Sequence, residues 1–423
     1  MQNYNNNKNS VFLVTLLFPF AGLIYSLIHW RERWARNVFW LVCVYLGAIF
    51  IYWPEGTSLG VGADGGRYVV ELMNYHQHDF YAAASTILLQ KDFYQPFITF
   101  LISRFTDNGH VLFAVFAFVF GFFYSRNIWY VLDRLPNRKL GWLGILVALY
   151  FLICPITQIN GVRMWTGLHV FVYAMLPFLV EHDRSKLWWL ATVPLFHFSY
   201  LYITIFAIVY VLLLNRIATR SRVFQLIALV FFIASFSVNS LNMDSMNAML
   251  AEYSPESYED RIDLYVNQGA ADRRADASSL SNWYIVASGN LQKWGYAVLL
   301  IVLLPCMRKH FKENRGYINL WVFALLLSGM ANILAMIPSG GRFQFLSSMF
   351  AVAIILLAAA NLPKANGYVS IVNIVLFPLL IPLVVEFRTL FDYFSFTLVL
   401  GNFLTAFLIE SNVPIIDFIK GLI

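Results

Sequence analysis

Charge is scarce in this sequence. Only 12% of its 423 residues are charged, whereas 60% are hydrophobic. A soluble chain of average composition is about 25% charged and about 45–50% apolar. A chain of this length has ample surface for polar groups, so a large core alone does not explain the deficit. The composition therefore indicates a polytopic membrane protein.

Cysteine and cofactor motifs are also scarce. The three cysteines lie within or at the ends of apolar runs, which excludes a secreted disulfide scaffold. The sequence has no zinc-ligand spacing, no phosphate-binding P-loop, no Rossmann glycine pattern and no nucleophile elbow. We therefore expect no cofactor, no metal and no use of ATP by this chain. The net charge of +6 comes from short loops between apolar runs, so we expect no nucleic-acid partner.

What the sequence has in abundance is long apolar runs, which predict an all-α fold. A hydrocarbon core about 30 Å thick needs about 20 helical residues per span. Runs near that length occupy residues 11–29, 37–53, 110–131, 140–159, 163–181, 223–241, 289–307, 317–337, 343–360, 367–386 and 393–409. The run 187–214 contains Pro194 and is too long for one span, so we divide it into a short broken hairpin near His197–Ser199. The total is about 13 transmembrane helices.

Lysine and arginine in the short loops predict the orientation. They form five clusters: Arg31/Arg33/Arg36, Arg134/Arg138/Lys139, Arg184/Lys186, Arg216/Arg220/Arg222 and Arg308/Lys309/Lys312/Arg315. All five fall on the cytoplasmic side if the N-terminus is outside and 187–214 is a hairpin. The single membrane domain 1–423 then presents two long outer segments, 54–109 and 242–288. We expect an interfacial or re-entrant helix at 93–105 and a loop at 242–288 that caps a cavity.

Two arginines stand where the charge bias disfavours them. Arg163 follows Asn160-Gly161, and Arg342 follows Gly340-Gly341, each at the outer start of a predicted helix. Helix N-termini and planar guanidinium forks both favour phosphate oxygens. The pair predicts one anion site, such as a pyrophosphate pocket, at the outer interface. The alternative for each arginine is that its side chain extends to lipid headgroups.

Three further polar side chains are candidates for chemistry. Asp64 could serve as a general base for a sugar hydroxyl, or it could cap a helix that starts at Gly65. Arg67 lies one turn later and could pair with Asp64 or with a ligand. His197 lies at the apex of the predicted hairpin, where it could transfer a proton or simply pack against Ser199.

Four short motifs occur in order over roughly residues 50–345. They are Asp64-Gly65-Gly66-Arg67-Tyr68, Asn160-Gly161-Val162-Arg163-Met164, Phe196-His197-Phe198-Ser199 and Gly341-Arg342-Phe343. Together they resemble elements of the EpsG-like exopolysaccharide polymerases, a branch of the Wzy-type (O-antigen and capsule) polymerases with kinship to GT-C glycosyltransferases. Met164 departs from the pattern, because the family has glutamine there.

The resemblance implies an enzyme of the bacterial inner membrane that polymerises oligosaccharide units on undecaprenyl diphosphate at the periplasmic face. A hydroxyl at the non-reducing end of one lipid-linked unit would attack the anomeric carbon of another. Arg163 and Arg342 would bind the departing diphosphate, His197 would protonate it and Asp64 would take the acceptor proton. The further substrate-binding candidates are Arg67, Tyr68, Asn160, Ser199 and Arg261. Implied partners are the lipid-linked donor and acceptor, the bilayer, a chain-length regulator and a flippase.

Two other classes fit some of these features. A flippase or transporter of lipid-linked glycans would also carry arginines in a cavity, but it should show two pseudo-symmetric halves with matching broken helices. We find one broken segment, 187–214, and no counterpart. A membrane O-acyltransferase would need a histidine that a cytoplasmic acyl donor can reach, whereas His197 is predicted on the far side.

Overall fold

The computed structural model describes residues 2–53, 64–88, 90, 92–238, 282–337, 339–409 and 412–422. All regular elements within these ranges are helical, and none of the described residues belongs to a β-strand. Arg261 and most of the outer segment 242–288 lie outside the described residues. The all-α prediction is confirmed, and the chain is a polytopic membrane protein by the length and composition of its helices.

The helices before residue 238 are α1 (Gln2–Leu17), α2 (Pro19–Ile28), α3 (Ala35–Ala48), α4 (Asp64–Gln77), α5 (Phe80–Leu88), α6 (Tyr94–Ser103), α7 (Gly109–Leu132), α8 (Leu143–Leu152), α9 (Val162–Glu181), α10 (Val193–Phe196), α11 (Tyr200–Val209), α12 (Asn215–Arg220) and α13 (Arg222–Ala234). Short 3-10 helices occupy Ile156–Gly161, Leu187–Thr192 and Ser235–Ser237, and a π-helical turn covers Tyr210–Leu214.

The helices after residue 282 are α14 (Trp283–Val302), α15 (Leu304–Lys309), α16 (Arg315–Leu334), α17 (Arg342–Asn361), α18 (Gly367–Leu376), α19 (Leu380–Leu390), α20 (Thr397–Leu400), α21 (Thr405–Leu408) and α22 (Ile415–Lys420). Helices α16 and α17 are the most shielded of the long apolar helices. They form the centre of the bundle together with α7 and α9, and α3 packs along α7.

Six helical segments in the described ranges are long and apolar enough to cross a membrane, or seven if the bent pair α18–α19 counts as one span. They are Gly109–Leu132, Leu143–Glu181, Tyr200–Arg220, Trp283–Lys309, Arg315–Leu334 and Arg342–Asn361. The predicted total of about 13 is not confirmed. The difference has two physical sources: four further apolar helices have only 10–17 residues, and Leu143–Glu181 counts once although its 39 residues would extend about 58 Å.

Two of the basic clusters meet at one end of the bundle, which we call the basic end. Arg31 donates to the Pro136 carbonyl at 2.9 Å, and Arg134 pairs with Glu181 at 2.6 Å. Arg138 donates to the Ala360 carbonyl at 2.6 Å, at the end of α17. These contacts join loops that the charge rule assigned to a single side of the membrane.

The hairpin prediction concerns the segment 187–214. The chain rises from the basic end through Leu187–Phe196, breaks at His197–Ser199 and begins α11 at Tyr200. The Tyr200 ring contacts Phe343, at the start of α17, with ring centroids 5.7 Å apart. Tyr210 then donates to Asn319, at the start of α16, at 2.7 Å. The second leg therefore returns to the basic end, and the break lies at the other end, which we call the site end.

Candidate functional site

The centre of the site end is a buried acid, Asp92, which precedes α6. Its side chain is 2% exposed. One carboxylate oxygen lies 3.0 Å from a terminal nitrogen of Arg163, and the other accepts the Phe198 amide at 2.8 Å. A buried carboxylate is costly unless it is paired and hydrogen-bonded. Asp92 meets both conditions and thereby ties together the starts of α6 and α9 and the break before α11.

The chain positions these groups by breaking helices. The 3-10 helix Ile156–Gly161 ends just before α9, so Arg163 is the second residue of that helix. His197 has extended backbone angles, φ −153° and ψ 123°, which interrupt the helix. The interruption releases the Phe198 amide, which hydrogen-bonds Asp92 instead of a helical carbonyl.

The His197 ring lies beside Asp92 and Ser199. Its Nδ1 atom is 3.8 Å from the Asp92 carboxylate, a distance for an ion pair only when the ring is protonated. The Ser199 amide lies 3.3 Å from Nδ1 as a donor, and the Ser199 hydroxyl lies 3.2 Å from it. When Nδ1 accepts from the amide, the proton of a neutral ring is on Nε2. The packing contact with Ser199 is therefore present, and it orients the ring.

Helix α4 brings the residues of the first motif to the same place. The Gly65 amide donates to the side-chain oxygen of Asn160 at 3.0 Å, and Asp64 pairs with Arg67 along one turn of α4. The Tyr68 ring centroid lies 5.9 Å from the Arg163 guanidinium carbon. Burial raises the pKa of the Tyr68 phenol above its usual value, and the positive charge of Arg163 opposes this shift.

The structure therefore gathers most of the predicted site residues. Seven of them lie around Asp92 at the site end: Asp64, Arg67, Tyr68, Asn160, Arg163, His197 and Ser199. Asp64 is also the first residue of α4, so its position is compatible with the alternative that its carboxylate stabilises the start of this helix. The role of each side chain stays a prediction.

Arg342 shares the site end but not the Asp92 cluster. One turn further into their helices, Trp165 of α9 and Phe345 of α17 are in ring contact at 5.2 Å. The Arg342 side chain is exposed, and among the described residues it makes no ion pair or side-chain hydrogen bond. The structure gives Arg163 an acidic partner and Arg342 none, so the two predicted phosphate ligands are not equivalent.

An open cavity of about 390 Å³ lies next to the cluster, between α4 and α5. Its polar lining residues are Arg67, Glu71, Asn74, Tyr75, His78, Thr86 and Gln90. Glu71 accepts from the Tyr75 hydroxyl at 2.7 Å and from the Gln95 amide at 2.6 Å. Burial, followed by the hydrogen bond to Glu71, raises the pKa of Tyr75 to about 12. Carboxylate, amide and aromatic groups around an open polar cavity suit a hydroxyl-rich ligand.

Sequence reasoning missed Asp92 and Glu71. Asp92 lies two residues before the start of α6, and in the sequence it directly precedes the aromatic pair Phe93-Tyr94. That acid-before-helix pattern was the available signal. Glu71 carries no such signal, because it is one of several polar residues on an amphipathic helix.

In the ranges that the structure describes, no group of three or more histidine, cysteine, aspartate or glutamate side chains is arranged to hold a metal ion. Comparisons of this chain with models of protein families, with curated proteins and with solved structures gave no match.

Proposed function

We propose that this protein polymerises glycan units carried on a lipid diphosphate, at the face of the membrane where the site end lies. The observation that supports this most is the Asp92 cluster, which gathers an arginine, a histidine and a carboxylate–arginine pair beside an open polar cavity. Acid–base groups, a cation for a leaving diphosphate and space for a sugar are the parts that glycosyl transfer requires.

The acceptor sugar occupies the cavity of about 390 Å³ in this proposal. Its terminal hydroxyl points to Asp64, which takes the proton as the oxygen attacks the anomeric carbon of the donor. Arg67, paired with Asp64 and also lining the cavity, orients the acceptor. Glu71, fixed by its two hydrogen bonds, binds sugar hydroxyls.

The donor reacts at Arg163 and His197. As the new glycosidic C–O bond forms, the bond between the anomeric carbon and the diphosphate oxygen breaks, and the electron pair leaves with the diphosphate. Arg163 uses one nitrogen to bind Asp92 and offers further N–H donors to the negative charge that grows on the leaving group. Protonated His197 donates to the same oxygen, and Arg342 attracts the diphosphate as it approaches.

The finer topology belongs to the same proposal. About 13 crossings place the five basic clusters in the cytoplasm and the site end in the periplasm of a bacterial cell. The short apolar helices Pro19–Ile28, Ala35–Ala48, Leu187–Phe196 and Arg222–Ser237 supply four additional crossings. The segment Leu143–Glu181 crosses twice, and the run 393–409 supplies the last crossing. Undecaprenyl diphosphate carries the glycans, and a flippase delivers them to the outer face.

Deletion of the gene, followed by electrophoresis of the surface glycan, tests the function. Loss of a polymerase should leave single repeat units, whereas loss of a flippase should leave no surface glycan. Complementation with Arg163→Ala should lower polymer yield by about 10²–10³, and Arg163→Lys should restore little, because lysine lacks the planar fork. Arg134→Ala is the matched control, since Arg134 pairs with Glu181 at 2.6 Å at the basic end. Normal polymer from Arg163→Ala would contradict the assignment.

A further inference from the structure

A second cavity opens among α13, α14, α16 and α17, beside the start of α17. About 110 Å³ of it admits water-sized groups, several times the ~10–15 Å³ that one water needs. Its lining includes Gln344 and Phe345, which lie two and three residues after Arg342 on the first turn of α17. The cavity therefore reaches the site end next to the arginine that makes no contact with the Asp92 cluster.

The cavity contains a cation whose charge no carboxylate balances in the described ranges. Lys293 lies on α14, eleven residues along a helix that is long and apolar enough to span the membrane, and its side chain lines the cavity. No carboxylate of the described residues lies within ion-pair distance of its ammonium group. The nitrogen stands over the Phe236 ring, 5.3 Å from the centroid. A lysine within an apolar span is costly and is retained where it has a ligand or partner.

Neutral hydrogen-bonding groups accompany this cation. Asn332 donates to the Ser235 hydroxyl at 2.9 Å and accepts from the Gln344 amide at 3.4 Å. This chain links the ends of α13, α16 and α17 around the cavity. The Glu386 carboxylate is hydrogen-bonded to the side chain of Gln292, which lines the cavity. Glu386 itself does not line it. The lining thus presents ammonium, amide and hydroxyl donors with no carboxylate among them.

The rest of the lining is apolar, and the outer faces of the flanking helices are exposed. Phe232, Phe236 and Leu300 line the cavity. Val230 of α13 is 62% exposed and Trp294 of α14 is 53% exposed. A face of this kind in a membrane protein lies against lipid chains. A ligand with a charged head and an apolar tail would therefore bind with the head at Lys293 and the tail between α13 and α14.

We infer that this cavity binds the phosphate head of a lipid, with Lys293 as its cationic ligand and the Gln344–Asn332 amides as its neutral ones. The inference rests on the proposed function for the identity of the ligand, the lipid diphosphate of the glycan donor. It assigns the head group of the incoming donor to a binding site beside α17, which the donor leaves for the Asp92 cluster before the bond breaks.

The test measures binding rather than catalysis. The full-length protein in detergent micelles is titrated by calorimetry with farnesyl diphosphate, with farnesol and with inorganic diphosphate. We expect Lys293→Gln to weaken farnesyl diphosphate binding by about 10- to 100-fold, the effect of one charge-assisted hydrogen bond. Lys293→Arg should bind within about threefold of the parent, because it keeps the charge. Lys420→Gln is the matched control, since Lys420 is exposed and pairs with Asp417.

Three results would overturn the inference. They are unchanged farnesyl diphosphate affinity in Lys293→Gln, equal affinity for farnesol, which would show that only the tail binds, and equal affinity for inorganic diphosphate, which would show that the tail does not bind. The two proposals fail separately. Lysine-dependent binding in a protein that makes no polymer would contradict the polymerase alone, whereas polymer synthesis with lysine-independent binding would contradict this site alone.

Discussion

Replacing Asp92 by asparagine tests the centre of the site most directly. The substitution keeps the shape and one hydrogen-bond acceptor for the Phe198 amide, but it removes the charge that balances Arg163. Removing one partner of a buried ion pair typically costs about 3–5 kcal/mol. The Asp92 side chain is 2% exposed and that of Arg163 is 29% exposed, so water still reaches the arginine. We therefore expect a loss of about 2–3 kcal/mol in the free energy of unfolding.

The measurement is denaturant unfolding in detergent micelles, arranged as a double-mutant cycle of Asp92→Asn, Arg163→Gln and the double variant. Because the double variant leaves no unbalanced charge, it should be more stable than the sum of the single losses by about 1–3 kcal/mol. Asp417→Asn provides the surface comparison, since its pair with Lys420 is exposed and should contribute less than about 1 kcal/mol. Additive losses, or an Asp92→Asn variant as stable as the parent, would refute the reasoning.

Three further outcomes are expected. Gly47→Ala should destabilise the protein by about 1–3 kcal/mol, because a Cβ there would clash with the backbone of α7. Gly144→Ala should not destabilise it, because no atom lies within 4 Å of a Cβ at that position, and thermal unfolding of the two variants measures the difference. Glu71→Gln should reduce the use of acceptor glycan at least tenfold while donor binding stays normal, since Glu71 lines only the acceptor cavity; a weaker donor affinity would contradict that division. Reporter fusions at positions 183 and 265 should be cytoplasmic and external, respectively, and two fusions on one side would disprove the topology.

The sequence predicted the features of this fold that depend on local chemistry. Apolar runs gave the helices, Pro194 and the polar residues after it gave the break at His197–Ser199, and basic loops gave a common end. The number of crossings was less accessible, because helices of 10–17 residues fall between the length of a membrane span and that of a buried helix. Their packing, rather than their composition, determines how far each one extends.

The sequence predicted most of the residues that the structure gathers around Asp92, but it did not predict the contacts between them. Glycines and breaks before helices singled out Arg163, His197 and Asp64, and the structure assembles them. The pairing of Arg163 with Asp92 links residues 71 positions apart, and no spacing rule connects positions so distant in sequence. The sequence also gave no indication of the second cavity. A single lysine in an apolar run, such as Lys293, resembles a residue near a helix end, and only the packing of the neighbouring helices shows that it lines a cavity.

The Asp92–Arg163 contact has a consequence for selectivity. Since the arginine carries its own counter-charge, the resting centre is close to electroneutral and has little attraction for chloride or a carboxylate from solution. An incoming anion must compete with an acid that is already fixed 3.0 Å away. A singly charged group gains little by that exchange, whereas a group with two or more negative charges can bind the guanidinium alongside Asp92. An internal counter-ion of this kind therefore favours ligands with two or more negative charges over singly charged ones.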